Sequence, residues 1–543
     1  MQYNRRTPGV YVTELAAFPP SVIGVQTAVP AFIGYTKQAK VNGKPVYMQP
    51  ISITSLADYQ EIFGGAFEPV YTITPVTDTT EIADHKYDFS IIEPPPPPPQ
   101  PGGKLHYYSL TQESKTSQFN FYDSMRLFYA NGGGNCFVVS VGSYEKSDGT
   151  GLNTVEAQSL KDGLDVIKGQ VGPTMLVVPE AVLLSNADFQ IVAQWMLDQC
   201  GLLQDRVAIL DVYGGGVVDN NSLTNDLTTT ISQFRGDVGN YLNYGMAYFP
   251  FLHSTVVPVS DYDFQNLHPL GLIDPLATLL EYQNQNLNWD WKKDPTGKGD
   301  GKTSNYTTVK GYIDAMEGTK TAAAVLTLNQ NLMAALPVLT DIYNAIVEKN
   351  DVLPPSPAMA GVYTFIDSTQ GVWNAPANVA LSAVDRTTFK LNGDQQGDLN
   401  LPVDGKAVNA IREFVGRGPV VWGARTLDGN SNDYRYIQVR RTLIYIEQSI
   451  KTALNSFVFA PNDGSTWVTV TSMVSNFLQG LWSAGGLMGA TAKEAYTVQC
   501  GLGSTMTGLD ILNGYMIVQV TLQMIHPAEF IELTFKQEMQ GVS

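Results

Sequence analysis

Glycine-rich turns, carboxylates, histidines and cysteines are the groups in this chain that could do chemistry, and their spacing decides whether they do. Gly132-Gly133-Gly134-Asn135 has the composition of a loop that offers backbone N–H groups to a phosphate. A dinucleotide fingerprint, however, follows a strand and opens a helix, whereas these glycines end a helical pattern and precede the apolar run CFVVSV (136–141). No Lys-Ser/Thr completes a P-loop, so they read as a helix C-terminal turn. Gly214-Gly215-Gly216 does follow a strand pattern, but Gly-Gly-Gly-Val-Val lacks the fingerprint spacing and the helix after it is weakly patterned. Asp290, Asp294 and Asp300 share a Gly-containing loop without the Asp-x-Asp-x-Asp-Gly run and closing Glu of a calcium hand. His85, His106, His253, His268 and His526 form no pair at metal-ligand spacing. Cys136, Cys200 and Cys500 lie far apart, each in an apolar segment, where a cysteine acts as a small buried hydrophobe. A Gly-x-Ser-x-Gly nucleophile is absent, and paired carboxylates of the glycosidase kind cannot be read from sequence because their separation in space is not written there. The expectation is no catalytic group, no cofactor and no metal.

The elements that would position such groups are those of a large folded chain. Its 543 residues are 44% apolar, enough for about three domains with sizeable cores. Lys and Arg number 33 against 51 Asp and Glu, a net charge of −18 that argues against nucleic acid as a partner. Apolar stretches such as 174–178 and 515–520 fall far short of the roughly 20 residues that cross a bilayer, so direct membrane insertion is not expected. Pro8 and Gly9 interrupt the start, which argues against a cleavable leader, and the odd cysteine count fits synthesis in a reducing compartment.

Along the chain, Val10 and Val12 alternate with Gly9, Tyr11 and Thr13 in a short terminal strand. VPAFIGY (29–35) reads as a buried strand and Ser55 opens a short helix. Residues 66–118 are Thr-rich and contain the run Pro94 to Pro99, which reads as an exposed loop or stiff spacer, so removal of 88–103 is expected to leave assembly of the chain intact. From 119 to 257, apolar runs TMLVVP, VAILDV and GMAYFP alternate with helical patterns, the signature of α/β layers with a largely parallel sheet. Residues 258–330 lose that order, and a helix follows over 336–350. In the C-terminal third, VVWGART (420–426), YRYIQV (434–439), YMIVQVTL (515–522) and FIELTF (530–535) read as strands, with helices carrying Leu443 to Phe457 and Trp467 to Leu481.

TPGVYVTEL (7–15), VIGVQTAVPAFIGYT (22–36), FYDSMRLFYANGGGNCFVVSVG (121–142), LPPSPAMAGVYTFIDSTQGVWNAPAN (353–378), VNAIREFVGRGPVVWGARTL (408–427), YRYIQVRRTLIYIEQSIKTAL (434–454), FVFAPND (457–463) and IHPAEFIELTF (525–535) stand in one order along about half the chain. In that order they resemble the phage tail sheath family, which includes the sheaths of phage tails, R-type pyocins and extracellular contractile injection systems. Departures fall in 66–118 and 258–330, where such proteins carry variable outer insertions.

The resemblance implies an α/β, multidomain tail-sheath fold. Its core would be built from N- and C-terminal segments, with inserted outer domains and extended terminal arms. The expected division is an N-terminal arm 1–21, first core part 22–65, Pro-rich insertion 66–118, α/β domain 119–257, outer insertion 258–335, C-terminal core 336–525 and C-terminal arm 526–543. The arms, carrying Pro8, Gly9, Val10, Tyr11 and Val12 at one end and Phe530, Ile531, Leu533 and Phe535 at the other, would add strands to neighbouring subunits. Taken alone, they read as edge strands of their own chain. Implied partners are further copies of the chain, an inner tube, and baseplate and terminal cap proteins. Assembly in the bacterial cytoplasm into a released or envelope-anchored particle follows from the same resemblance. Two other classes compete: an α/β enzyme, against which the strand ends carry Pro179, Gly214 and Pro250, and a surface or adhesion protein, which would need a secretion signal.

Overall fold

The computed structural model describes residues 21–94, 103–112, 118–218, 222, 224–267, 274–318 and 320–533. The chain divides into two compact units, one of 28–370 with 375–437 and the other of 1–27, 371–374 and 438–543.

In the larger unit, nine strands of the described residues form a single sheet. Its order is Val379–Ala380, Gly418–Val421, Asn409–Phe414, Gly245–Phe249, Val207–Asp211, Met175–Val177, Pro30–Thr36, Cys136–Ser143 and Pro50–Ile53. The middle strands are parallel, as in the pairing Ala31↔Phe137 or Ala208↔Gly245, and the two margins are antiparallel. Every residue of PAFIGYT, VAILD and GMAYF is buried, which is why these strands read as unbroken apolar runs: helices cover both faces. Phe32 meets Phe121 and Phe128 of the helix Phe121–Ala130 on one face. On the other face a Cβ at Gly163, in the helix Ala157–Lys168, would lie 2.7 Å from Ile33. The helix Ser356–Thr369 packs so closely on Phe121–Ala130 that a Cβ at Gly361 would fall 2.6 Å from the Phe128 carbonyl oxygen.

A second core in this unit forms a lobe. Strands Tyr71–Val76, Leu105–Gln112 and Phe89–Ile92 make an antiparallel sheet whose inward residues Tyr71, Ile73, Phe89, Ile91 and Leu110 pack with helices Asp274–Asn288, Ser304–Asp314, Ala322–Ala335 and Pro337–Asn350. Two expectations change here. Residues 66–118 hold a sheet on either side of the proline run, since the Thr and Pro residues mask a short alternation that buries every second side chain in Tyr71–Thr74 and Phe89–Ile92. The helix Pro337–Asn350, assigned from sequence to the C-terminal core, buries Val338, Leu339, Ile342, Tyr343 and Ile346 in the lobe, because an amphipathic stripe does not say which core it faces.

Both crossings into the lobe are stapled. At one, the rings of Phe67 and Phe119 meet edge to face at 5.2 Å. At the other, Ser254 N donates to the Asp351 carbonyl (2.8 Å), and His253 Nδ1 lies 2.8 Å from the Asp351 carboxylate. The strand Leu252–Ser254 pairs there with both Val352–Leu353 and Val384–Thr387.

The smaller unit packs helices Ile437–Leu454 and Gly464–Ser483 through Ile446, Ile450, Val470, Val474, Leu478 and Leu481. YRYIQV is not a strand: Tyr436 makes one isolated bridge to Arg425, and the helix opens at Ile437. The β-branched Ile437 and Val439 that suggested a strand are buried in the first turn of the helix, while Tyr434 and Tyr436 lie half-buried in the turn before it. Among the described residues no single helix is long and apolar enough to cross a membrane.

Candidate assembly site

The smaller unit ends in a two-stranded antiparallel sheet, Tyr496–Gln499 with Gln519–Leu522. Tyr496, Val498, Val520 and Leu522 pack on the helical core, and Thr497, Gln499, Gln519 and Thr521 face outward. The alternation follows from the period of two along a strand. No third strand joins the pair among the described residues, although just past its end Leu487 bridges Met524 and Met488 N donates to the Gln523 carbonyl (2.9 Å). The strand Gln519–Leu522 lies inside the run read from sequence. Tyr496–Gln499 was missed, although Thr491 and Glu494, which form a capping box just before it, mark the spot.

Beyond this sheet the chain runs to 533 without a strand. Phe530, Ile531 and Leu533 are 72%, 78% and 76% exposed, an apolar segment that its own unit does not cover. Phe535, and Pro8, Gly9, Val10, Tyr11 and Val12, lie outside the described residues. The sequence-derived arm residues are therefore not brought together; three of them are seen, and they stand open.

The carboxyl ends of the parallel strands, where an α/β enzyme keeps its site, are closed by helix caps. The Asp211 carboxylate accepts Ser356 N (2.7 Å) and Ser356 Oγ (2.5 Å) at the start of the helix Ser356–Thr369. Glu180 accepts Tyr35 N (2.7 Å) and lies against the backbone of Asn120 and Phe121, where the helix Phe121–Ala130 begins without a cap of its own. Burial pushes the Glu180 carboxyl up to about 8 against the pull of these N–H groups, and Asp211 up to about 7 against that of Ser356. Burial also raises Asp123 to about 7, with Arg126 opposing; Arg126 in turn bonds the Val256 carbonyl and Asp261, tying that helix to the lobe.

The remaining sequence candidates have packing roles. Gly132 has φ +96° at the end of its helix, as the turn reading requires, and a Cβ there would sit 2.8 Å from the Phe365 Cβ. Gly216 leaves room for the Phe251 ring, which a Cβ would approach to 2.8 Å. The Asp294 carboxylate is taken up by Thr296 and Gly299 N within its loop, Asp290 accepts Lys292 N and Lys293 N, and Asp300 pairs with Lys293. No three His, Cys, Asp or Glu side chains among the described residues are grouped to hold a metal.

Residues 430–538, which hold this sheet and the exposed tail, match the phage tail sheath C-terminal domain. The helical sheath of the anti-feeding prophage in its contracted state aligns with 98% of this chain and 100% of its own, at 25% identity and a TM-score of 0.56. Over that C-terminal stretch, and in its fold along nearly its whole length, the chain is similar to phage tail sheath proteins. The sheath complex of PVC, an extracellular contractile injection system, in its contracted state shares the fold over 99% of each chain, at 24% identity and a TM-score of 0.54. A chain of the anti-feeding prophage baseplate in its contracted state does so over 99% and 100%, at 21% and 0.59. The tail sheath protein of Burkholderia phage BcepMu is 26% identical over 196 residues, which is 33% of this chain and 41%, under half, of that protein. The α/β tail-sheath fold expected from sequence thus spans nearly the whole chain.

Proposed function

We propose that this chain is the contractile sheath subunit of a phage-tail-like injection machine, a mechanical protein and not an enzyme. Copies stack as rings around an inner tube between a baseplate and a terminal cap. They are assembled in the bacterial cytoplasm into a particle that is released or held at the envelope. The observation that carries the reading is an apolar tail with nothing of its own to cover it, beside a sheet of only two strands among the described residues, inside a stretch that matches the sheath C-terminal domain. Strand addition joins these needs: the tail of one subunit, and residues 8–14 of another, extend the sheet Tyr496–Gln499/Gln519–Leu522 of a third. Main-chain hydrogen bonds hold such a link while subunit bodies turn, with His526-Pro527 and Phe18-Pro19-Pro20 as the joints.

The stroke then needs no nucleotide. An extended lattice built on the baseplate is held in a higher-energy arrangement, and a trigger at one end releases it to a shorter, wider lattice with better subunit contacts. The two-insertion lobe faces outward, and residues 467–512 face the tube. The test is sedimentation and negative-stain microscopy of the purified chain with and without residues 1–15. The intact chain is expected to form ridged cylinders, and the truncated one to stay soluble with an unchanged circular dichroism spectrum and form none. Cylinders of normal length from the truncated chain refute the role of the N-terminal arm.

A further inference from the structure

The turn between the two long helices of the smaller unit holds its side chains in an arrangement that a lone subunit gains nothing from. Phe457 turns inward against the core, while Val458 is 62% exposed and Phe459 is fully exposed, at 102%. Phe459 also has φ +66°, a left-handed backbone that a bulky L residue rarely adopts. The turn is braced: Ala460 N donates to the Phe457 carbonyl (2.9 Å), Asn462 Nδ2 to the Tyr515 carbonyl (2.9 Å), and Trp467 Nε1 to Asn462 Oδ1 (2.7 Å). A strained, fastened, wholly exposed aromatic ring is costly to the folded subunit and useful only against something else.

The surroundings indicate what that is. In a chain of net charge −18, residues 452–528 carry only Asp463, Lys493, Glu494 and Asp510 as charged side chains. The three acids are engaged at helix starts: Asp463 accepts Thr466 N, Glu494 accepts Ala490 N and Thr491 N, and Asp510 accepts Thr507 N. Beside the turn, the short helix Gly508–Leu512 and the residues after it leave Leu509, Leu512 and Tyr515 exposed. Strongly acidic chains meet with least Coulomb repulsion where both present a sparsely charged surface, and this stretch, with three acids and one base, is such a surface.

We infer that Phe459 is a docking knob that seats on the sparsely charged 464–528 stretch of a second copy of this chain. The inference rests on the sheath reading and adds to it a contact between folded subunit bodies, distinct from the arms. The ring fills an apolar site on the neighbour, and the left-handed turn aims it there before contact is made.

The variant Phe459→Gly removes the ring and relaxes the backbone, since glycine adopts φ +66° without strain. Because the ring touches nothing in its own subunit, the unfolding midpoint of the variant should stay within about 2 °C of the wild type. The concentration needed to form cylinders should rise about tenfold or more, as for loss of an aromatic interface anchor. In parallel, Phe459→p-benzoylphenylalanine in assembled particles should crosslink on illumination to residues 464–528 of a second copy. Wild-type chain that forms no cylinders under any condition removes the sheath reading and this inference together. Cylinders from wild type and Phe459→Gly at the same concentration overturn the knob alone. So does an adduct to the tube protein, to the same chain, to another region of the second copy, or no adduct, whatever the stability of the glycine variant.

Discussion

Removing residues 530–543 separates what the tail does for its own subunit from what it does for a neighbour. Fully burying a Phe, Ile or Leu side chain contributes about 2 kcal/mol. Phe530, Ile531 and Leu533 leave 72%, 78% and 76% of their surface open, so within the subunit they recover only about a quarter of that, ~1.5 kcal/mol for the three together. A partner that covers the remainder gains about 4 to 5 kcal/mol per tail, roughly three orders of magnitude in association. If ordering the segment consumes half of this, about fiftyfold remains. The truncated chain is therefore expected to melt within about 3 °C of the full chain, and to need at least a fiftyfold higher concentration to appear in the cylinder fraction on sedimentation. A large fall in the melting temperature would show that the tail belongs to its own core. Unchanged cylinder formation would show that no neighbour covers it.

Other parts of the structure give further expectations. Deleting 95–102 shortens a connection between two strands and should leave the melting curve unchanged. Deleting 88–103 also removes the buried Phe89 and Ile91, and with them Asp88, whose carboxylate accepts Leu110 N and pairs with Lys349; limited proteolysis should then cut the lobe first, at a stability loss of about 3 to 6 kcal/mol. Glu180 and Asp211 hold protons in the folded chain that the unfolded chain releases, since their carboxyls are raised to about 8 and about 7. Their contribution is complete below their unfolded values and is lost as pH rises through the folded ones, so the midpoint should fall between pH 5 and 8, and Glu180→Gln should flatten that slope. Gly361→Ala puts a Cβ 2.6 Å from the Phe128 carbonyl oxygen and 2.9 Å from the Asn131 Cβ; chemical denaturation should show a loss of about 1 to 3 kcal/mol.

The parallel sheet was legible because strands buried on both faces, such as VAILD, leave an apolar run between turn residues, and Ser55 marked a helix start that the structure caps reciprocally through Asp58. The lobe sheet was not, because Tyr71–Val76 and Phe89–Ile92 bury only two residues each and sit among Thr and Pro, a composition shared with loops. Ile437 and Val439 show the limit of residue type: the same β-branched side chains serve a strand or the buried first turn of a helix. In the assembly site, the tail's apolar character could be read directly. The two-stranded sheet beside it could not, since Tyr496–Gln499 is four residues long and finds its only described partner twenty residues further on. Phe459 was within a recognised block, but a left-handed backbone and full exposure are properties of the folded turn alone.

The two stapled crossings, Phe67 against Phe119 and Ser254 against Asp351, make the lobe a guest of the α/β body. One closes a detour of about fifty residues and the other one of about a hundred, yet the entropy of bringing loop ends together grows so slowly that doubling the length adds only about 0.6 kcal/mol. The body therefore scarcely registers how long the guest is, provided that the ends return to the same two doorways. Lineages can enlarge, shrink or replace the lobe without retuning the sheet. A designer could use the Ser254–Asp351 doorway in the same way, to hang a foreign domain whose own ends lie close together on every subunit of the assembly.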